Sequence, residues 1–297
     1  MSLLMKRIVM AALGLLGALM LWPLLLTIQR LQVHFPGYLV FSLVQGVCLG
    51  TVFGALFGSC EGIVVSSRVK AFRGALFGAL FGAAAGAAGT TAGQLFLFPA
   101  GQSVFRAGSL RMGAGLAAAN GVAWVIIGTF LAMTEGLRSR SPRKLLVGLI
   151  GGFLGGLSGG AALSALQLLR PEGRYSLLAA LGIFGFSLSL FYSLLENRFQ
   201  AGTLKLLNGP LKGKEYPLVG RKTLAGADAA CDIVLKGYPG VQGVHGVFSL
   251  EKGRVYLRSA AAGAAVQVND GPATEAALRP EDVVALGKAK FLYGYFS

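Results

Sequence analysis

Residues 46–89 read GVCLGTVFGALFGSCEGIVVSSRVKAFRGALFGALFGAAAGAAG, and this stretch decides the fold. Glycine recurs at every fourth residue in two apolar runs, which a short basic segment separates. A spacing of four keeps the glycines on one face of a helix. Such helices would be weak in water, but in lipid small residues let two helices pack closely. We therefore predict two membrane helices that meet along glycine seams. The helix-packing glycines are Gly50, Gly54, Gly58, Gly78 and Gly82, with Gly152 and Gly156 in a later helix.

The composition is typical of a polytopic membrane protein. Of the 297 residues, 54% are hydrophobic and only 13% are charged, and the formal net charge is +15. Basic residues commonly flank membrane helices near anionic lipid, so we interpret the charge as a sign of a lipid bilayer and not of nucleic acid. The three cysteines lack metal-ligand spacing, and no catalytic arrangement of Ser, His, Asp or Cys is evident. We therefore expect no metal, no cofactor and no enzymatic activity.

Six apolar segments are long enough to cross about 30 Å of hydrocarbon. They are residues 8–28, 38–65, 74–98, 115–137, 145–169 and 175–195. Residues 99–112 are predicted to form a polar loop, and Pro23 is expected to kink the first helix or loosen its last turns. Ten Lys and Arg lie on the side of the amino terminus and five on the other side, which predicts an inner-membrane protein with both termini in the cytoplasm.

The membrane part contains an internal repeat. Glu61-Gly62 and Glu135-Gly136 lie 74 residues apart, and the same offset superposes the later glycine runs. The simplest interpretation is three helical hairpins, formed by helices 1–2, 3–4 and 5–6. Glu196 ends the sixth helix in the same way.

The three membrane carboxylates, Glu61, Glu135 and Glu196, allow two interpretations. They could line a path for cations or protons, since acids at membrane depth are costly. Alternatively, they pair with basic neighbours at the interface, such as Arg68, Arg140 or Arg198. We favour pairing, because an acid at a helix C-terminus opposes the helix dipole and needs a partner.

The character of the sequence changes at residue 201. Short runs of strand length, separated by turn signals, replace the long apolar segments. They read LKLLNG, EYPLV, DIVL, GVFSL, RVYLR, AVQVND, DVVALG and AKFLYGYF. We predict that residues 1–200 form a six-helix membrane domain and that residues 201–297 form a separate β-sandwich domain.

Several blocks of the second domain match a known pattern. The blocks are Tyr216-Pro-Leu-Val, Gly226-x-Asp-x-x-Cys-Asp-Ile-Val-Leu235, His245 within VHGVF, Gly253-Arg-Val-Tyr-Leu257, Val268-Asn269 and Leu278-x-Pro-Glu-Asp-Val-Val-x-Leu-Gly287. Their order and spacing resemble a forkhead-associated (FHA) domain. The resemblance implies a β-sandwich that binds phosphothreonine peptides through Arg, Ser and Asn side chains at one end.

The phosphate-binding positions of this sequence depart from that pattern. Ala227 stands where the resemblance implies an arginine, and Gln242-Gly243 stand where it implies Ser-Arg. His245 and Asn269 remain, and the resemblance implies that they hold the loops. Each lost charge-assisted hydrogen bond removes about 1.5–3 kcal/mol of phosphate binding. A competing hypothesis is that Lys222, Lys212 or Lys214 replaces the missing charge.

The sequence predicts a membrane-anchored adaptor or scaffold. Its FHA-like domain would bind a cytoplasmic protein partner without a need for phosphate. The alternative is a small channel or transporter that the FHA-like domain regulates. Against it, helices 3 and 5 consist almost entirely of Gly, Ala, Leu and Phe, which favours tight packing and leaves open a homo-oligomer.

Overall fold

A computed structural model describes residues 3–294, except 66, 106–108, 140, 170–174, 200, 219–221, 252 and 261–263. Within the helices, side chains are described apart from those of residues 3–6, 65, 97–105, 109–119, 167–168 and 197–199. The described residues contain six long helices followed by a β-sandwich. The helices are α1 Leu3–Arg30, α2 Tyr38–Val65, α3 Arg68–Phe105, α4 Ser109–Arg138, α5 Pro142–Leu169 and α6 Ser176–Phe199.

All six helices have the length and composition of membrane spans, as predicted. The polar loop predicted for residues 99–112 is wrong in its extent, because α3 continues to Phe105 and α4 starts at Ser109. The polar residues there mark the end of the apolar span and not the end of the helix, since backbone hydrogen bonds persist beyond it. Pro23 lies inside α1, which continues to Arg30.

The helices form a closed ring in which each packs against its two neighbours in the chain and α6 packs against α1. The even-numbered helices also contact one another across the ring, α4 with α2 and with α6. The C-terminal ends of α2 and α4 and the N-terminal ends of α3 and α5 lie at the end that faces the sandwich, which we call the proximal end. The opposite end, which contains Gln32 and Gln94, is the distal end.

The glycine seams lie between α2 and α3 and between α4 and α5. A methyl group added at Gly50, Gly54 or Gly58 would overlap a backbone carbonyl oxygen of Gly82, Gly78 or Gly74, respectively. A methyl group at Gly152 or Gly156 would overlap the carbonyl oxygen of residue 128 or 124 on α4. The closest packing therefore joins the second helix of one predicted hairpin to the first helix of the next.

The sandwich consists of two mainly antiparallel sheets. The strands are β1 Thr203–Leu206, β2 Glu215–Pro217, β3 Lys222–Gly226, β4 Ile233–Val234, β5 Gly246–Glu251, β6 Arg254–Ser259, β7 Val266–Val268, β8 Gly271–Ala273, β9 Glu275–Ala277, β10 Val283–Leu286 and β11 Ala289–Gly294. Sheet A has the order β2-β1-β11-β10-β7-β8, and sheet B has the order β4-β3-β5-β6-β9.

The core between the two sheets contains Leu204, Phe248, Leu286 and Phe291, all of which are almost fully buried. Strands lie where the eight predicted segments indicate, but β3, β8 and β9 were missed. The chain enters the sandwich directly, because α6 ends at Phe199 and β1 starts at Thr203. The sandwich is therefore held close to the proximal end of the ring.

Candidate functional site

One end of the sandwich is built from three loops: residues 227–232 between β3 and β4, residues 235–245 before β5, and the described residues 260, 264 and 265 after β6. We call this the loop end. The amide of Ala227 donates a hydrogen bond to the carbonyl of Gln242 at 2.9 Å, and that of Asp228 donates to Gly243 at 2.9 Å. Two backbone donors that face the neighbouring loop are thereby used inside the protein.

Gly226 allows the first two loops to approach this closely. A methyl group at Gly226 would overlap the carbonyl oxygen of Gly243, so the position requires glycine. The thiol of Cys231 donates to the same carbonyl oxygen at 3.3 Å. Burial raises the pKa of the Cys231 thiol, which favours this neutral donor form.

His245 joins the second and third loops from inside. Its side chain is 1% exposed. Its Nδ1 accepts a hydrogen bond from the Gln242 amide at 3.1 Å, and its Nε2 lies 3.0 Å from the carbonyl oxygen of Ala265. These partners suit the neutral ring with a proton on Nε2. His245 therefore connects the second and third loops.

The surface of the loop end offers few groups that bind an anion. Ala227, Gln242 and Gly243 are uncharged, and the exposed Asp228 adds a negative charge that opposes phosphate. Lys236 is the one basic residue in the parts of these loops that the structure describes. Val244 is exposed beside Gly243 and adds an apolar contact surface.

The remaining predicted loop positions lie elsewhere in the sandwich. Lys222 starts β3, so the length of that strand separates it from Ala227. Asn269 lies at the far end of β7. There its side chain donates to Asp282 Oδ1 at 2.8 Å and accepts from the Val283 amide at 2.8 Å. The structure therefore brings together Ala227, Gln242, Gly243 and His245, but neither Lys222 nor Asn269.

A second polar cluster lies at the proximal end of the ring and joins three helices. Arg138 contacts the carboxylate of Glu61, and its Nη2 lies 2.9 Å from Glu135 Oε2. Lys144 Nζ lies 3.1 Å from Glu61 Oε1 and 3.5 Å from Glu135 Oε1. We call these four residues the charge tetrad. Its two bases are Arg138 and Lys144, which the sequence interpretation did not name as partners of the carboxylates. Of the partners that it did name, Arg140 lies outside the described residues, and the side chain of Arg198 is not described.

Glu196 also reaches this region. It is buried and lines, with Glu61, Glu135 and Lys144, a small cavity of about 40 Å³ inside the proximal end. Tyr192 lines the same cavity, and its hydroxyl is buried without a hydrogen-bond partner among the described atoms. The three carboxylates predicted from the repeat therefore converge. Tyr192 was missed, since its sequence context is an ordinary apolar helix.

Comparison with known proteins gives a match in the sandwich. The sequence model of the family described as "Inner membrane component of T3SS, cytoplasmic domain" matches residues 205–294. Residues 205–294 form an FHA-like domain. A comparison with curated proteins found no match.

Solved structures similar to this chain include FHA domains from distant organisms. The FHA domain of the CT664 protein from Chlamydia trachomatis is 24% identical and covers 32% of this chain and 98% of its own, with a TM-score of 0.30. An FHA domain of an Arabidopsis thaliana protein is 20% identical and covers 32% and 86%, with a TM-score of 0.30. Mycobacterium tuberculosis EmbR, in complex with a low-affinity phosphopeptide, is 15% identical and covers 84% and 72%, with a TM-score of 0.30.

The FHA-like domain contacts the ring through Asp232. Lys70 Nζ, in the first turn of α3, lies 3.2 Å from Asp232 Oδ1. The other oxygen, Asp232 Oδ2, accepts a hydrogen bond from the Leu224 amide on β3 at 2.9 Å. One carboxylate thus binds both β3 and a membrane helix.

A polar cavity of about 290 Å³, the junction cavity, lies between the FHA-like domain and the ring. Lys214 and Lys222 line it from the domain, and the charge tetrad lines it from the ring. Lys214 Nζ lies 5.3 Å from the centre of the Tyr216 ring. Burial lowers the pKa of Lys214. Among the described residues, no group of three His, Cys, Asp or Glu is arranged to hold a metal ion.

Proposed function

We propose that this protein is a membrane-anchored adaptor that binds a cytoplasmic protein partner through the loop end of its FHA-like domain, without a need for phosphate. The observation that carries the proposal is the chemistry of the loop end. Ala227, Gln242 and Gly243 offer no charged donor, and the amides of residues 227 and 228 already donate to the neighbouring loop. Val244 adds exposed apolar surface, which suits a protein partner.

The proposed location is the inner membrane, with both termini in the cytoplasm. Two arguments support it: the excess of Lys and Arg at the proximal end, and the match to a family described as an inner-membrane component of the T3SS. By that similarity, the adaptor would work within a membrane-bound assembly. The direct connection between α6 and β1 would keep the bound partner beside the bilayer.

Site-specific photo-crosslinking in intact membranes tests this proposal. A photoreactive amino acid at Val244 should capture a discrete protein partner, and phosphatase treatment should leave the yield unchanged. The matched control places the same group at Glu281, which is exposed in the loop before β10, away from the loop end. Loss of the crosslinked partner after dephosphorylation would contradict the proposal that binding does not need phosphate. Equal capture from both positions would remove the loop end as the binding surface.

A further inference from the structure

A large cavity lies between the helices in the distal half of the ring. This distal cavity has a volume of about 520 Å³, and all six helices contribute residues to its wall. Its volume falls within the range of small-molecule binding sites, which is about 300–1,000 Å³. A cavity that every helix lines lies on the axis of the ring and not in a groove on its surface.

The polar groups of the distal cavity are uncharged. Five residues with carboxamide side chains line it, together with three that carry a hydroxyl group: Gln29, Gln32, Gln45, Gln94 and Asn120, and Tyr38, Ser42 and Thr90. No acidic or basic side chain is among the described residues of its wall. Carboxamides and hydroxyls both donate and accept hydrogen bonds, so they suit an uncharged solute with several polar groups.

Two further cavities, the small cavity beside Tyr192 and the junction cavity, lie at the proximal end of the ring. The small cavity beside Tyr192 shares the lining residues Glu61, Glu135, Lys144 and Glu196 with the junction cavity, so the two cavities adjoin at the charge tetrad. The ring therefore contains cavities near both of its ends.

A thin apolar layer separates the distal cavity from the small proximal cavity. Phe184 is fully buried, and its ring centre lies 5.1 Å from that of Phe53 and 5.0 Å from that of Trp124. On α4, Ile127 lines the distal cavity and Leu131 lines the small proximal cavity. Four residues of helix rise by about 6 Å, so the layer is only one helical turn thick on this side.

We propose that the ring is a pathway for small uncharged polar solutes. The solute binds in the distal cavity, and the aromatic layer of Phe53, Trp124 and Phe184 closes the route in this conformation. This role is separate from the adaptor role of the FHA-like domain, because it uses different residues. Tight glycine seams and a narrow central path are compatible, since the seams lie between neighbouring helices and the path lies inside the ring.

Solute uptake by proteoliposomes tests the pathway with glycerol and urea as uncharged probes and sodium gluconate as the charged one. Full-length Phe184→Ala should raise the glycerol permeability at least tenfold over that of protein-free liposomes and leave gluconate excluded. Adding Asn120→Leu should reduce this permeability, because it removes a polar wall group. Folded Phe184→Ala that is no more permeable than protein-free liposomes would overturn the proposal, as would equal passage of gluconate.

If Phe184→Ala does not fold, thiol labelling tests whether solutes enter and bind in the distal cavity. In a background with all three native cysteines replaced by Ser, Thr90→Cys should react with a charged, membrane-impermeant reagent applied to the distal side. Glycerol should slow the reaction at least threefold. Leu181→Cys, at a fully buried helix position, is the control and should stay unreactive. A Thr90→Cys protein that is unreactive from the distal side, or that glycerol does not protect, would contradict the proposed site.

Discussion

Lys70 Nζ lies 3.2 Å from Asp232 Oδ1, and this ion pair joins the membrane ring to the FHA-like domain. Because the pair is partly exposed, its loss should cost only about 0.2–1 kcal/mol. We expect Lys70→Ala to loosen β3 and β4, so their amides should exchange hydrogen severalfold faster. Lys290→Ala is the control. Lys290 Nζ lies 3.4 Å from Oδ1 of the exposed Asp270, and this ion pair lies away from the ring. Equal exchange in the two variants would show that the pair does not hold the domain.

Arg138 is the central base of the charge tetrad. Replacing it by Met leaves the carboxylates of Glu61 and Glu135 close together with one base, Lys144, between them. Removing one partner of a well-buried pair costs about 3–5 kcal/mol, and partial exposure here reduces the expected loss to about 1–3 kcal/mol. The free energy of unfolding in detergent measures the loss.

Adding Glu61→Gln to Arg138→Met should restore part of the stability, because it removes the unpaired charge. Arg143→Met is the control on α5, next to the tetrad residue Lys144. A loss no larger than that of the control would mean that the tetrad does not stabilise the ring.

Gly54 and Gly78 face each other across the seam between α2 and α3. Gly54→Ala should push the helices apart despite the higher helix propensity of Ala, with a cost of about 1–3 kcal/mol. Gly182→Ala is the matched control, because a methyl group there meets only a distant leucine side chain. Thermal unfolding in detergent should show a lower midpoint for Gly54→Ala and an unchanged or higher one for Gly182→Ala. The reverse order would contradict the close seam.

The sequence predicts the seams well, because a four-residue spacing is a local property of one helix. It could not predict the partners of the carboxylates. Arg138 lies three residues after Glu135, but Glu61 and Lys144 reach the same point only because the ring closes. Similarly, residue types alone identified the three carboxylates but not Tyr192, whose position beside them depends on how α6 packs.

In the FHA-like domain, too, the sequence predicts local features but not those that depend on how the strands pair. The resemblance implied that His245 holds the loops, and in the structure its buried ring contacts Gln242 and Ala265. Lys222 was considered as a substitute charge, but the direction of β3 places it at the other end of the strand. Strand β8 was missed because Gly271-Pro272 is typical of a turn, and only its pairing with β7 makes it a strand.

Lys214 should make the stability of the FHA-like domain depend on pH. Burial lowers its pKa in the folded state, so the unfolded state binds its proton more tightly. The free energy of unfolding should therefore rise as the pH rises from the lowered pKa towards the ordinary value of about 10.4. Lys214→Met should flatten this rise and increase stability at pH 7. Lys212→Met replaces an exposed neighbour, so it should change neither the pH dependence of the free energy of unfolding nor the stability at pH 7. If the free energy of unfolding of Lys214→Met still rises with pH, Lys214 is not the cause of the rise.

Substitutions at the loop end should give the FHA-like domain the phosphopeptide binding that the native protein is proposed to lack. A methyl group at Gly243 meets nothing within 4 Å, so a larger side chain fits there. The variant Ala227→Arg, Gln242→Ser, Gly243→Arg should therefore supply the missing donors without disturbing the His245 contacts. Two or three new charge-assisted hydrogen bonds at about 1.5–3 kcal/mol each should raise phosphopeptide affinity by at least tenfold.

The most direct test is a titration of the full-length protein in detergent with a phosphothreonine peptide library, beside this triple variant. The account predicts no selective binding by the native protein and measurable phosphate-dependent binding by the variant. Selective micromolar binding by the native protein, lost when the peptide is dephosphorylated, would contradict it.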